Sequence, residues 1–140
     1  MLYRQAGSPK AAKSSPFTDV TDSWSVDAVN WAFEKGVVNG TSPTTFSPND
    51  AITRQDMATI LYNYTKNVLD LDVYDTADLT GYPDYSSISD YARTPLSWAV
   101  AQGVILGVGN SNGVDTLQPK GDATRAQTAT IIMRFCQNVL

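Results

Sequence analysis

The 140 residues carry ten Lys and Arg against fourteen Asp and Glu, a net charge of −4, with no histidine. An acidic chain whose cations form no run excludes nucleic acid and an anionic membrane as general partners, and the missing imidazole removes the commonest general base and zinc ligand. With 42% hydrophobic residues, a single cysteine and no apolar run near the ~18 residues of a membrane span, the sequence reads as globular, with no internal disulfide, cofactor motif or metal set. No charged-then-apolar leader opens the chain, so an export signal is expected outside it.

Residues 1–16 begin with what reads as the last turn of a helix closed by Gly7, with Pro9 beyond it and a linker to Pro16. Phe17-Thr18-Asp19-Val20 is a short extended or turn segment. Trp24, Ala28, Trp31 and Ala32, flanked by Val29 and Phe33, recur at a helical period, and Gly36 stops that helix. Val37-Val38-Asn39-Gly40 makes a short apolar turn, followed by a loop punctuated by Pro43 and Pro48. Ile52-Thr53-Arg54-Gln55-Asp56 then opens a second helix with Thr53 as N-cap and Asp56 placed to reach back as a capping box. Met57, Ala58, Ile60, Leu61 and Tyr64 are expected to face inward, and the period fades near Asn67. Residues 68–81 show no convincing period and read as a connection.

The pattern then returns. Tyr82-Pro83-Asp84 answers Phe17-Thr18-Asp19, Tyr91, Pro95, Trp98 and Ala99 answer Trp24, Ala28, Trp31 and Ala32, and Gly103 and Gly107 answer Gly36 and Gly40. Ala123-Thr124-Arg125-Ala126-Gln127 answers the first Thr-Arg stretch. The tryptophans are 67 positions apart and the threonines 71, so four extra residues are expected in the loop from Val108 to Thr116. Thr94-Pro95 reads as an N-cap with proline at the first helical position, and Cys136 as the inner side of the last helix. Leu2-Tyr3-Arg4 resembles Leu61-Tyr62-Asn63, as if an earlier copy ended there. The expected organisation is therefore all-α: 1–16 end of a preceding repeat plus linker, 17–67 one repeat, 68–81 connection, 82–140 another repeat. A two-helix unit is too small to bury its own face, so copies must pack on one another or on a partner.

The arginines carry the chemical interest. A cation in the first helical turn opposes the macrodipole, yet both copies place one there. Either Arg54 and Arg125 extend into water, or they assist the helix N-terminus in holding an anion. A guanidinium fork matches a carboxylate bidentately, and helix N-terminal N–H groups add donors. Asp19 and Asp84 are read as turn formers that cap the next helix or as groove lining, Trp31 and Trp98 as core, and Trp24, Tyr85 and Tyr91 as exposed aromatic faces near a groove. The acidic residues are scattered through caps and loops without the paired placement a glycosidase needs, so no enzyme activity is expected of this segment.

Phe17-Thr18-Asp19-Val20, Trp24 to Ala28, Trp31-Ala32, Gly36 to Gly40, Phe46-Ser47-Pro48 and Ile52 to Asp56 read in order like the S-layer homology (SLH) repeat. Tyr82 onward, ending in Leu117-Gln118-Pro119 and Ala123 to Gln127, resembles the next one. The resemblance covers about residues 17–140. It implies an all-α fold of tandem helix-loop-helix repeats packed as part of a pseudo-threefold bundle, and an extracellular location on the cell wall or S-layer. It also implies non-covalent anchoring of a Gram-positive surface protein through a pyruvylated secondary cell-wall polysaccharide. The ligand-binding positions it implies are Arg54 and Arg125 with Thr53, Thr124, Asp19, Asp84, Trp24, Gly40 and Gly107. The expected partners are that polysaccharide and a further SLH repeat in cis or a second copy in trans, with no nucleic acid and no membrane. The alternative is a protein-interaction or oligomerisation module that uses an exposed repeat face.

Overall fold

The computed structural model describes residues 1–109 and 115–140. Among these the helical periods become α1 (Leu2–Gln5), α2 (Ser23–Glu34), α3 (Arg54–Asn67), α4 (Arg93–Ala101) and α5 (Arg125–Asn138), with 3-10 turns at Tyr85–Ser87 and Asp90–Ala92. The described residues contain no strand, only the isolated bridges Thr53–Asp122 and Val108–Thr116, so the all-α expectation holds. No described helix is long and apolar enough to cross a membrane. The expected four-residue insertion falls largely on residues 110–114, outside the described residues.

The glycine stops act as the sequence suggested. Gly36, at φ 69°, donates its N–H to the Phe33 carbonyl while Val37 donates to Ala32; Gly103, also at φ 69°, donates to Val100 while Val104 donates to Ala99. These paired bonds satisfy the last carbonyls of α2 and α4, and they need a left-handed residue that glycine supplies without strain. The same closure ends α1 at Gly7. A second device reinforces it. Asn67, near the end of α3, donates from Nδ2 to the Gly36 carbonyl at 3.2 Å, and Asn138, ending α5, donates to the Gln102 carbonyl at 2.8 Å. The two asparagines are 71 positions apart, the same offset as Thr53 and Thr124.

The chain divides into two compact units, residues 1–50 with 63–71 and residues 51–62 with 72–140. In the first, Trp31 on α2 is buried with its ring centroid 5.5 Å from Tyr3 and 6.4 Å from Tyr64, and Phe17 meets the rings of Phe33 and Phe46. In the second, Trp98 on α4 is buried with its ring centroid 5.8 Å from Tyr62, and Leu61, Leu96, Val104, Ile105, Leu117, Ile131 and Phe135 of the same unit are buried too. Both mid-helix tryptophans are thus core residues. The sequence repeat and the compact unit do not coincide, because the first nine residues of α3 belong with the second repeat.

Several local expectations change. α4 begins at Arg93 rather than after a Thr94 cap, because the 3-10 turn Asp90–Ala92 runs directly into it; Pro95 is then the third helical residue, where a missing N–H still has no intrahelical partner to lose. Trp24 does not share the inward face of Trp31: it is 82% exposed in the first turn of α2. Cys136 is exposed rather than inward.

Candidate ligand-binding site

Each Thr-Arg stretch starts a helix, but the two starts are chemically different. In α3 the first four N–H groups are all occupied. Arg54 N–H donates to the Gly121 carbonyl at 3.0 Å, Gln55 to Pro119 at 2.9 Å, Asp56 to Thr53 Oγ1 at 3.2 Å and Met57 to the Thr53 carbonyl at 2.9 Å. In α5 the expected capping box is complete: Gln127 N–H donates to Thr124 Oγ1, and Thr124 N–H donates to Gln127 Oε1, both at 3.1 Å. The N–H groups of Arg125 and Ala126 have no partner among the described residues, and both residues are exposed. The bridge Thr53–Asp122, with Ala123 N–H donating to the Ile52 carbonyl at 2.8 Å, sets the segments that precede the two helices side by side.

The arginines differ as sharply. Arg54 is only 4% exposed; its Nε donates to the Leu117 carbonyl at 2.9 Å and its Nη2 to the Leu106 carbonyl at 2.7 Å. Burial pulls the guanidinium below arginine's ordinary pKa; the charge of Asp84 pulls it back up and Arg134 adds to the lowering, and arginine stays protonated throughout. Nη1 has no partner among the described residues and is not sealed from solvent. Arg125 is exposed, with no hydrogen bond or ion pair among the described residues.

The aspartates grip loops and do not cap helices. Asp19 accepts from the N–H groups of Phe46 and Ser47, each at 2.8 Å, and Asp84 accepts from Leu117 at 3.0 Å and Gln118 at 2.8 Å. Ser47 and Gln118 hold the same left-handed conformation, at φ 58° and 48°, so each copy fixes one strained corner with one bidentate carboxylate. Both backbone polar groups of Leu117 are therefore held, its N–H by Asp84 and its carbonyl by Arg54.

The two N–H bonds hold the Asp19 carboxyl below its usual range. A depressed folded-state pKa contributes stability above the unfolded value, roughly 3.9, and that contribution is lost as pH falls through the depressed value. In urea melts the wild-type chain is expected to lose stability below about pH 4. Asp19→Asn should be less stable at pH 7 and lack that part of the acid response; identical pH profiles would show that the loop is not held by this charge.

Gly40 and Gly107 serve tight approaches. A Cβ on Gly40, at φ 82°, would lie 2.3 Å from the Phe17 ring and 2.6 Å from the Thr45 carbonyl oxygen, and one on Gly107 would lie 2.8 Å from Asp115 Cβ. Asp56 does not close a capping box. Its Oδ1 accepts instead from the Tyr91 hydroxyl at 2.5 Å, and buried Gln55 joins the cluster through Ser89 and Tyr91. Desolvation, with Asp56 second, pushes the Tyr91 hydroxyl up to about 12, so it remains a donor at neutral pH. The Tyr91 ring is still mostly exposed, whereas Tyr85 lies under the Arg93 guanidinium. Asp19, Trp24 and Gly40 lie in the first unit, and Thr53, Arg54, Asp84, Gly107, Thr124 and Arg125 in the second. The carbonyl partners of Arg54 had no sequence signal, since any residue supplies a backbone oxygen. Asn67 and Asn138 did have one, in their shared offset.

A profile of the S-layer homology domain matches residues 16–58 and 81–129. The chain is similar to a surface-layer 125 kDa protein of Lysinibacillus sphaericus, 35% identical over 124 residues that make up 88% of this chain and 10% of that protein. It is also similar to an endoglucanase of Bacillus sp. (strain KSM-635), at 34% over 94% of this chain and 13% of the relative, and to the S-layer protein sap of Bacillus anthracis, at 31% over 90% and 14%. It spans about a tenth of the length of these relatives. Two profile matches in register with the two structural copies, the Gly36 and Gly103 closures and the twin aspartate grips make the assignment plain: the chain belongs to the S-layer homology domain family.

Proposed function

We propose that the chain anchors a larger surface protein non-covalently to the cell envelope by binding an acidic, pyruvylated secondary cell-wall polysaccharide, with Arg125 as the principal contact. Membership in the S-layer homology family makes it an extracellular, cell-wall-associated anchoring module. The observation that carries the finer reading is the contrast at the two helix starts. A carboxylate approaching α5 meets a guanidinium and two N–H groups, of Arg125 and Ala126, that no described residue engages, beside the Thr124 cap. At α3 only Nη1 of Arg54 remains unpaired among the described residues, so Arg54 and Asp84 act by shaping the loop, and Thr53 by capping. Gly40 and Gly107 allow the close turns around them, while Asp19 holds its own loop and exposed Trp24 offers a separate stacking face in the first unit. One charge-assisted contact contributes roughly 1.5–3 kcal/mol, so durable attachment requires several such contacts on one polymer. Catalysis in relatives such as the endoglucanase belongs to those proteins, and none is proposed for these residues.

Binding to purified wall sacculi tests this. Arg125→Ala is expected to lower retention at least tenfold with the fold intact, and stripping the polysaccharide from the sacculi should abolish it. Unchanged binding by Arg125→Ala would remove the proposed contact, and full binding to bare peptidoglycan would remove the ligand.

A second reading rests on Arg54. It shows what this stretch does when a loop carrying two outward carbonyls lies against it, and the Phe46 loop of the first copy is held by Asp19 as the Leu117 loop is by Asp84. A further repeat in cis, or a second copy in trans, would present such carbonyls to Arg125. Light scattering distinguishes the two: concentration-dependent association abolished by Arg125→Ala supports the interaction module, and a monomer at all concentrations opposes association in trans.

A further inference from the structure

A cleft of about 270 Å³ in the second unit is lined by the 76–80 segment on one side and Tyr85 and α4 on the other, and by no residue of either Thr-Arg stretch. Its walls are tied together: Ala77 N–H donates to the Ser97 carbonyl at 3.1 Å, and Ser97 Oγ donates to the Ala77 carbonyl. A ligand would therefore enter a preformed space.

The lining is polar and oriented. Asp78 Oδ1 accepts from Thr80 N–H at 3.0 Å and from Thr80 Oγ1 at 2.7 Å, which fixes the carboxylate and leaves Oδ2 unengaged among the described residues. Those bonds, the side-chain one first, hold the Asp78 carboxyl below its usual range, so it is a full acceptor at neutral pH. Arg93 lies over the Tyr85 ring, 5.6 Å from its centroid, and its Nη1 is 3.3 Å from Asp90 Oδ1. Its Nε and Nη2 have no partner among the described residues, nor do the hydroxyls of Thr76 and Thr94. The cleft thus offers an oriented acceptor, a half-exposed guanidinium lying over the Tyr85 ring and two hydroxyls that can donate or accept, which suits adjacent hydroxyl groups. Asp78 and Asp90 outweigh Arg93, so an anion is disfavoured. The volume lies just below the ~300–1,000 Å³ of drug-sized sites, room for one sugar ring.

We propose that this cleft binds one neutral pyranose unit of a glycan. It belongs to the second copy alone, because the first has Val20 and Val26 where the second has Tyr85 and Arg93. It is also independent of the acidic-sugar contact at Arg125.

Titration of the isotope-labelled chain with glucose, galactose, mannose and N-acetylglucosamine, with glucuronate as the anionic comparison, tests it by amide chemical shifts. At least one neutral sugar is expected to produce saturable shifts at residues 76–80 and 93–97 in the millimolar range, with glucuronate at least tenfold weaker. Asp78→Asn and Arg93→Ala should each weaken that binding about tenfold, and Arg125→Ala should leave it unchanged. Thr94→Val, which replaces the hydroxyl by a methyl of similar size, is the second variant should either of the others disturb the fold; it should weaken binding severalfold. No saturable shift at these amides with any neutral sugar, tighter binding of glucuronate, or affinities unmoved by the substitutions would each overturn the proposal. Loss of sacculus retention in Arg125→Ala with sugar titration intact supports the cleft as a separate site, whereas absence of saturable sugar binding in a chain whose sacculus retention still depends on Arg125 would overturn the cleft and leave the anchoring reading standing.

Discussion

Arg54→Ala is expected to destabilise the chain by about 2–4 kcal/mol, while Arg125→Ala, the same substitution in the same motif, stays within about 0.5 kcal/mol. The cause is what each guanidinium touches. Removing the Arg54 side chain strips the Leu117 and Leu106 carbonyls of their donors, deprives Asp84 of a neighbouring positive charge and opens a cavity beneath a side chain only 4% exposed. Removing Arg125 leaves no described group unpaired. For a chain of this size the Arg54 change should lower Tm by roughly 10 °C. Arg54→Lys should recover only part of that, since one ammonium cannot reproduce the fork that reaches two carbonyls. Thermal and urea unfolding of the three variants check this; equal losses for Arg54→Ala and Arg125→Ala would contradict it.

Gly40→Ala is expected to cost roughly 2–5 kcal/mol, combining a left-handed backbone that alanine disfavours by about 1–2 kcal/mol with a steric conflict. The conflict cannot be relaxed cheaply. One neighbour is the buried Phe17 ring, and the other is the Thr45 carbonyl oxygen, which already accepts from Thr41 N–H and so closes the turn. Urea unfolding of the variant should show the midpoint displaced with the slope kept. A near-native midpoint would show that the turn tolerates a side chain, and that Gly40 serves some other purpose.

Much of the fold could be read from the residues because repetition supplied an internal control. Gly36 and Gly103 mark helix ends by a conformational requirement that a single residue carries, and Trp31 and Trp98 mark the core by period alone. Trp24 failed the same period because a first-turn residue can satisfy helical spacing and still point to water. The site was harder. Thr124 and Gln127 form their capping box as read, since both partners sit within one turn. Asp56 stands where Gln127 does, but a tyrosine 35 positions away claimed its carboxylate, and no local pattern announces that. The roles of Arg54 and Arg125 diverged for the same reason. The motif specifies a helix start with a cation, and the surroundings decide whether that cation is buried or offered.

That divergence bears on ionic strength. The Leu117 backbone, clasped between a carboxylate and a guanidinium, is buried and shielded from mobile ions, whereas Arg125 stands within reach of them. Raising salt from about 0.1 M to 1 M contracts the screening length from ~10 Å to ~3 Å, which weakens an exposed contact far more than a buried one. If Arg125 holds the acidic polymer proposed above, a salt wash would release that polymer while the protein stays folded, ready to attach again when the salt is removed.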